Sequence, residues 1–167
     1  MSQVQVHNEQ HLIEAKRAPA LMALRNAPRV RVVSPPEWAK LDKQTASQAK
    51  GYAYEKRVEK ELQKVCDKFG WKLYAHQWFE YSCEGKVKLF QPDFIIERSG
   101  NAGIVIEVKL TYVDTTQQLN TYVKYLQIFG LICFPLTIVK NLVPGINNTI
   151  IRDFSEIIPN GVYHLWV

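Results

Sequence analysis

Residues 91–110 read QPDFIIERSGNAGIVIEVKL, and the fold turns on how this stretch is read. Ser99-Gly-Asn-Ala-Gly103 is a turn signal between two apolar runs, so the stretch predicts a β-hairpin. Side chains of a strand alternate between its two faces. Ile104, Ile106, Val108 and Leu110 therefore fill one face of the second strand, while Glu107 and Lys109 share the other with Val105. The β-branched neighbours indicate a central strand. An ionised pair in such a run is costly to bury unless something compensates it, and metal coordination is one such compensation. Folding the hairpin about residues 100–101 brings Asp93 opposite residues 107–109. Asp93 and Glu107, with the main-chain carbonyl of Val108 and waters, would form an oxygen-rich site suited to Mg²⁺ or Mn²⁺ rather than to zinc.

Upstream of this hairpin, Val58, Leu62, Val65, Cys66 and Phe69 form one helical stripe, so a helix is predicted from Gly51 to a stop at Gly70. On that helix Glu55 points partly inward. Trp71–Ser82 reads as one aromatic-rich strand ending in the turn Cys83-Glu-Gly-Lys86, and Val87–Glu97 as the next, so that with 104–110 three strands form an antiparallel meander. Downstream, Asp114-Thr-Thr caps a helix with the stripe Leu119, Tyr122, Val123, Leu126 and Phe129, ending at Gly130. Leu131–Val139 returns as a buried strand, and weaker strands are expected at 149–151 and 162–167. The fold class is α/β: an αβββαβ core with a central mixed sheet flanked by helices.

The 167 residues and a hydrophobic share of 47% suit one ordinary domain, and 22% charged residues exclude collagen-like, coiled-coil and wholly disordered classes. Net charge is +5, and residues 1–50 hold eight of the 21 basic side chains against four of the 16 acidic ones. These first 50 residues, with four prolines and no sustained period, read as a basic N-terminal arm preceding a domain at 51–167. A helix from about Asn8 to Arg25 is expected within the arm, and Arg25, Arg29, Arg31, Lys40 and Lys43 would lie along phosphates. Cys66, Cys83 and Cys133 are odd in number and lack a CxxC pair, which fits neither a disulfide framework nor a zinc knuckle. No apolar run is long enough to span a bilayer, so a cytoplasmic protein without a membrane partner is expected.

Gln91-Pro92-Asp93, thirteen hairpin residues and then Glu107-Val108-Lys109 resembles the signature of the PD-(D/E)XK nuclease superfamily. Gly51-Tyr-Ala-Tyr-Glu55 is similar to that superfamily's first-helix GxxxE element, and Gln118-Leu-Asn-Thr-Tyr122 to the QxxxY element of its RecB and lambda-exonuclease branch. The resemblance covers about residues 51–139 and implies a restriction-endonuclease-like core. It also implies roles. Asp93 and Glu107 would hold a divalent ion, and Glu55 would complete the site directly or through water. Lys109 would orient or deprotonate the attacking water and stabilise charge on the phosphate. Gln118 and Tyr122 would steady the lysine or touch the DNA backbone.

The activity so implied is metal-dependent hydrolysis of DNA phosphodiesters, of a kind found in phages, mobile elements, recombination and repair, in a prokaryotic or phage-infected cell. GxxxE, PD and ExK also occur in the archaeal Holliday-junction resolvases, which act as dimers on branched DNA, so a homodimeric resolvase is an alternative. A non-catalytic nucleic-acid-binding module on the same fold is another. Tyr122 and Gln118 also fit a packing role, being in and beside the apolar stripe. His7 and His11 lack companion ligands for zinc. His76 and His164 read as packed or hydrogen-bonded, and Trp38, Trp71, Trp78 and Trp166 as core or stacking aromatics.

Overall fold

A computed structural model of the chain describes residues 26–40, 45–141, 149–150 and 161–164. In chain order these form β1 (Arg29–Val32), a 3₁₀ turn (Glu37–Lys40), α1 (Ala46–Phe69), β2 (Lys72–Ala75), β3 (Phe79–Cys83), β4 (Lys86–Phe90), β5 (Phe94–Glu97), β6 (Ala102–Thr111), α2 (Thr116–Phe129), β7 (Ile132–Asn141), β8 (Thr149–Ile150) and β9 (Gly161–His164). Among the described residues the architecture is mixed α/β, with two helices and two sheets. A six-stranded sheet runs in the order β2-β5-β6-β7-β9-β8, and a three-stranded sheet in the order β1-β3-β4. The β2-β5-β6 part is antiparallel, whereas β6, β7, β9 and β8 are parallel, with α2 as the crossover between β6 and β7.

Alternation in 104–110 sorts the core as expected. Ile104, Ile106 and Val108 pack with Phe94, Ile96, Leu136 and Ile138 under Tyr54, Val58, Leu62 and Cys66 of α1. On the other face Val105 and Ile95 meet Leu119, Tyr122, Tyr125 and Leu126 of α2. The three-stranded sheet joins that second layer through aromatic contacts: Tyr81 stacks on Tyr125 at 4.2 Å between centroids, and Phe90 on Tyr122 at 5.5 Å. The β5–β6 hairpin pairs Phe94 with Ile106 and Ile96 with Ile104. Its strands approach closely at Gly103, where a Cβ would stand 3.0 Å from both the Ile96 carbonyl oxygen and Cys133 Sγ. A side chain there would need its neighbours, one of them backbone, to give by a few tenths of an ångström.

Several elements depart from the sequence reading. The first helix begins at Ala46 rather than Gly51, so the boundary expected between arm and domain at residue 50 falls inside α1. Its opening turn is exposed and polar, and so carries no apolar stripe. What starts it is a capping box: Thr45 Oγ1 accepts from the Gln48 N–H, and Gln48 Oε1 accepts from the Thr45 N–H. The end at Gly70, with φ of 69°, is as read. Phe69, placed in the buried stripe by its spacing, is instead 40% exposed and stacks on Trp71 at 4.9 Å. Within the arm, residues 29–32 are integrated into the fold as β1, paired with β3. The helix expected over 8–25 lies outside the described residues, as do residues 151 and 165–167 of the two late strands.

The expected meander is also divided. Trp71–Ser82 is two strands in different sheets, broken at His76, whose φ is 50°. Val87–Glu97 breaks at Gln91-Pro92-Asp93, because proline has no N–H to continue a ladder. The chain thus leaves the large sheet after β2, makes the β3–β4 hairpin in the small sheet, and returns at β5. Positive φ at Glu84 (50°) and Gly85 (74°) gives that hairpin the two-residue turn matched to strand twist. The two crossings run side by side, the Gln91 Nε2 donating to the His76 carbonyl at 2.8 Å. Among the described residues no helix is long and apolar enough to cross a membrane.

Candidate metal centre at the head of strands β5 and β6

Where the chain re-enters the large sheet, β5 starts at Phe94, one residue after Asp93, and the hairpin register continued by one step sets Asp93 opposite Glu107. The ladder is completed there by a side chain. Asp93 Oδ2 accepts from the Val108 N–H at 2.7 Å, taking the place of a backbone carbonyl. N–H and C=O of one strand residue lie on the same side of the strand, so the Val108 carbonyl lies on the side where Asp93 stands. Lys109 Nζ donates to Glu107 Oε2 at 2.7 Å and is 4.0 Å from Asp93 Oδ2. Asp93, Glu107 and Lys109 are therefore brought together on one face.

Glu107 is 1% exposed, and its Oε1 is buried with no hydrogen-bond partner. Burial, followed by the charge of Asp93, pushes its carboxyl up to about 7, against the opposing pull of Lys109. Lys109 feels the converse balance. Burial alone pushes its ammonium pKa down, but the bond to Glu107 and the charges of Glu107, Asp93 and Glu55 outweigh that and carry it above its ordinary value.

Glu55 reaches the same place from α1, although that helix packs on the opposite face of the sheet. It follows the buried Tyr54 on that helix. Burial first and Asp93 second push Glu55 up to about 7. Its companion there is His76, which the sequence reads as packed or hydrogen-bonded. His76 Nε2 is 3.9 Å from Glu55 Oε2. One ligand atom from each of Glu55, His76 and Asp93 can be chosen so that all lie within 4.8 Å of one another. The β2–β5 pairing explains the placement: Ala75 faces Phe94, so His76 faces Asp93, and the His76 N–H donates to the Asp93 carbonyl at 2.9 Å. No local sequence signal marks this, because it depends on where the aromatic run divides.

Gln118 and Tyr122 lie one turn apart on α2, and Gln118 Nε2 donates to Tyr122 Oη at 2.8 Å. Tyr122 Oη in turn donates to the Gln91 carbonyl at 3.4 Å. Tyr122 is buried among Phe90 and the α2 core, and burial, the largest influence on it, raises its phenol above the ordinary value. The pair braces the segment Gln91-Pro92-Asp93 from the side of α2. Arg29 and Arg31 stand on β1 in the small sheet, with Arg31 Nη2 at 2.9 Å from Glu80. Arg25 and Lys43 lie outside the described residues, as does the side chain of Lys40. Cys66, Cys83 and Cys133 are free thiols.

Three carboxylates converge here beside one lysine and one histidine, partly open to solvent through Asp93, Glu55 and His76. Such a set offers oxygen ligands that could hold a cation, with an ammonium next to them. Comparison with family models, with curated proteins and with solved structures finds no match to this chain.

Proposed function

We propose that the chain is a metal-dependent DNA nuclease of the PD-(D/E)XK type, hydrolysing phosphodiesters with Mg²⁺ or Mn²⁺ at Asp93 and Glu107, on a restriction-endonuclease-like αβββαβ core. The observation that carries the reading is the unpartnered, buried Glu107 Oε1 beside Asp93, with Lys109 bonded to the other Glu107 oxygen. A buried carboxylate oxygen without a donor is costly, and a divalent cation supplies the missing partner. The donor set fits that ion: two carboxylates and the Val108 carbonyl are hard oxygen ligands. Such an ion, when bound, acidifies a water and neutralises charge on a phosphoryl oxygen.

The chain's own residues supply the rest. Asp93 is fixed by the Val108 N–H, so its carboxylate needs no reorganisation. Lys109, anchored by Glu107 at 2.7 Å, holds a positive charge where a scissile phosphate would develop negative charge and is close enough to orient a water. Gln118 and Tyr122 keep the Gln91–Asp93 turn in place by their bond to the Gln91 carbonyl. Glu55 adds a third carboxylate at the open side.

The test is incubation with Mg²⁺ or Mn²⁺ and end-labelled linear duplex, closed circular, single-stranded and four-way-junction DNA, beside Lys109→Ala. Cleavage is expected, falling by at least 100-fold in Lys109→Ala, an order typical of losing a positioned charge in the transition state. Cutting of the circle assigns endonuclease action, and symmetric cuts confined to the junction assign the resolvase. Absence of cutting on every substrate, with DNA affinity retained in chelator, overturns the proposal in favour of a binding module.

A further inference from the structure

Between the β2–β5 end of the large sheet, the small sheet and the end of α2 lies a cavity of about 340 Å³, a size that takes a small organic group. Its buried lining is apolar: Phe79, Ile95 and Leu126. Tyr74 and Phe129 are exposed aromatic residues of the same cavity, and the Phe129 ring meets that of Phe79 edge to face at 5.6 Å. Along the chain the cavity adjoins the candidate metal centre. Gln77, which lines it, follows His76, and Ile95 lies one strand period, about 7 Å, from Asp93.

The polar side chains of the lining are weighted toward acceptors. The Glu97 carboxylate accepts only. The Tyr74 hydroxyl spends its proton on Glu97 Oε2 at 2.7 Å, and Gln77 Nε2 spends one of its two on the Trp78 carbonyl at 3.3 Å. Asn101, in the hairpin turn, adds an amide that both donates and accepts. None of the lining residues is basic, although Lys72 stands 3.6 Å from Glu97 Oε1 and offsets part of its charge. The complementary guest is flat, apolar on its faces, and carries two adjacent N–H donors beside an acceptor on one edge. Guanine has that edge, with N1–H and N2–H for the carboxylate and O6 for an amide N–H. Adenine and cytosine each turn a ring-nitrogen acceptor to the carboxylate, and thymine offers one N–H between two carbonyls.

We propose that this cavity receives an unstacked guanine base of the DNA strand held at the metal centre, with Glu97 reading its Watson–Crick edge and Tyr74 and Phe129 flanking its ring. The inference rests on the nuclease reading for the source of the base, and not for the cavity itself. Unstacking costs least where a base is already unpaired, so the substrate class is DNA with a single-stranded stretch, cut near a guanine.

The experiment is fluorescence anisotropy of the full chain in chelator, where no cutting occurs, with short labelled thymine strands bearing one guanine, adenine or hypoxanthine. Hypoxanthine keeps N1–H and O6 but lacks the 2-amino group. The guanine strand should bind about tenfold tighter than the other two, the order set by one good pair of hydrogen bonds. Glu97→Gln keeps the size of the side chain and an oxygen for the Tyr74 hydroxyl, and should abolish the preference while leaving residual binding. Phe129→Ala, at an exposed position, should weaken all three strands alike. Equal binding of the three strands, a preference that persists in Glu97→Gln, or displacement by argininamide as effective as by unlabelled guanine strand overturns the base assignment. Guanosine monophosphate that binds as tightly as the guanine strand overturns the assignment to DNA in favour of a free nucleotide. Guanine-selective binding by a protein that cuts no DNA in Mg²⁺ or Mn²⁺ overturns the nuclease reading and leaves the cavity assignment standing, whereas cutting without guanine-selective binding does the reverse.

Discussion

Glu107 is the one charged side chain buried among the described residues, and its energetics set how the cluster responds to pH. Its carboxyl and that of Glu55 are pushed up to about 7, in both cases chiefly by burial and then by Asp93. A carboxyl whose folded value exceeds its unfolded value binds its proton more tightly in the native state. The stability it contributes is complete below the ordinary carboxylate range and is lost as pH rises through about 7. At about 1.4 kcal/mol per unit, a rise from 4.5 to about 7 sets a ceiling of about 3–4 kcal/mol for Glu107. Urea unfolding in chelator should therefore give a free energy that declines between pH 5 and pH 8, and Glu107→Gln should remove about one proton's share of that slope. Identical profiles for the two proteins would contradict this account of Glu107. The residue was legible in the sequence because alternation over 104–110 left it on the face of Val105, flanked by apolar neighbours. His76 was not legible, since its role depends on pairing between β2 and β5, and pairing of a strand whose end is hidden in an aromatic run has no local signal.

Among the elements, those with an apolar period were readable and those without one were not. The stripe Val58, Leu62 and Cys66 located α1, that of Leu119, Tyr122 and Leu126 located α2, and alternation with a Gly-rich turn gave the β5–β6 hairpin and its register. Breaks within continuous β-forming composition were missed, at His76 and at Gln91-Pro92-Asp93, although the proline was a usable signal for the second. The first turn of α1 was missed for a simple reason: its side chains are exposed and polar, so periodicity reports nothing there. The capping pattern Thr45-x-x-Gln48 was the information available. Thr45→Ala should accordingly cost about 1 kcal/mol, a fall of roughly 2–4 °C in thermal midpoint for a chain of this size. A scan showing no change would place the start of the helix later, near Gly51. Because Glu55 lies within the first three turns of α1, the cap also holds one of the three carboxylates of the site.

At the scale of the whole molecule, the site exists because the chain changes sheets twice. Leaving the large sheet after β2 and returning before β5 stacks two irregular segments, and both contribute to one cluster: His76 from the outgoing crossing, Asp93 from the returning one. Glu107 and Lys109 come from β6, Glu55 from the helix on one face, and the Gln118–Tyr122 brace from the helix on the other. An assembly of acidic groups drawn from so many elements is held together at a cost in repulsion, which the proposed cation would relieve in the folded state alone. Binding of that cation is the claim on which the rest depends, and calorimetric titration of Mg²⁺ and Mn²⁺ into the wild-type chain, Asp93→Asn and Glu107→Gln tests it most directly. The account predicts saturable binding to the wild type, weakened at least tenfold in both variants, with Asp93→Asn the more severe. Wild-type protein that takes up neither ion, or variants that bind as the wild type does, would contradict it.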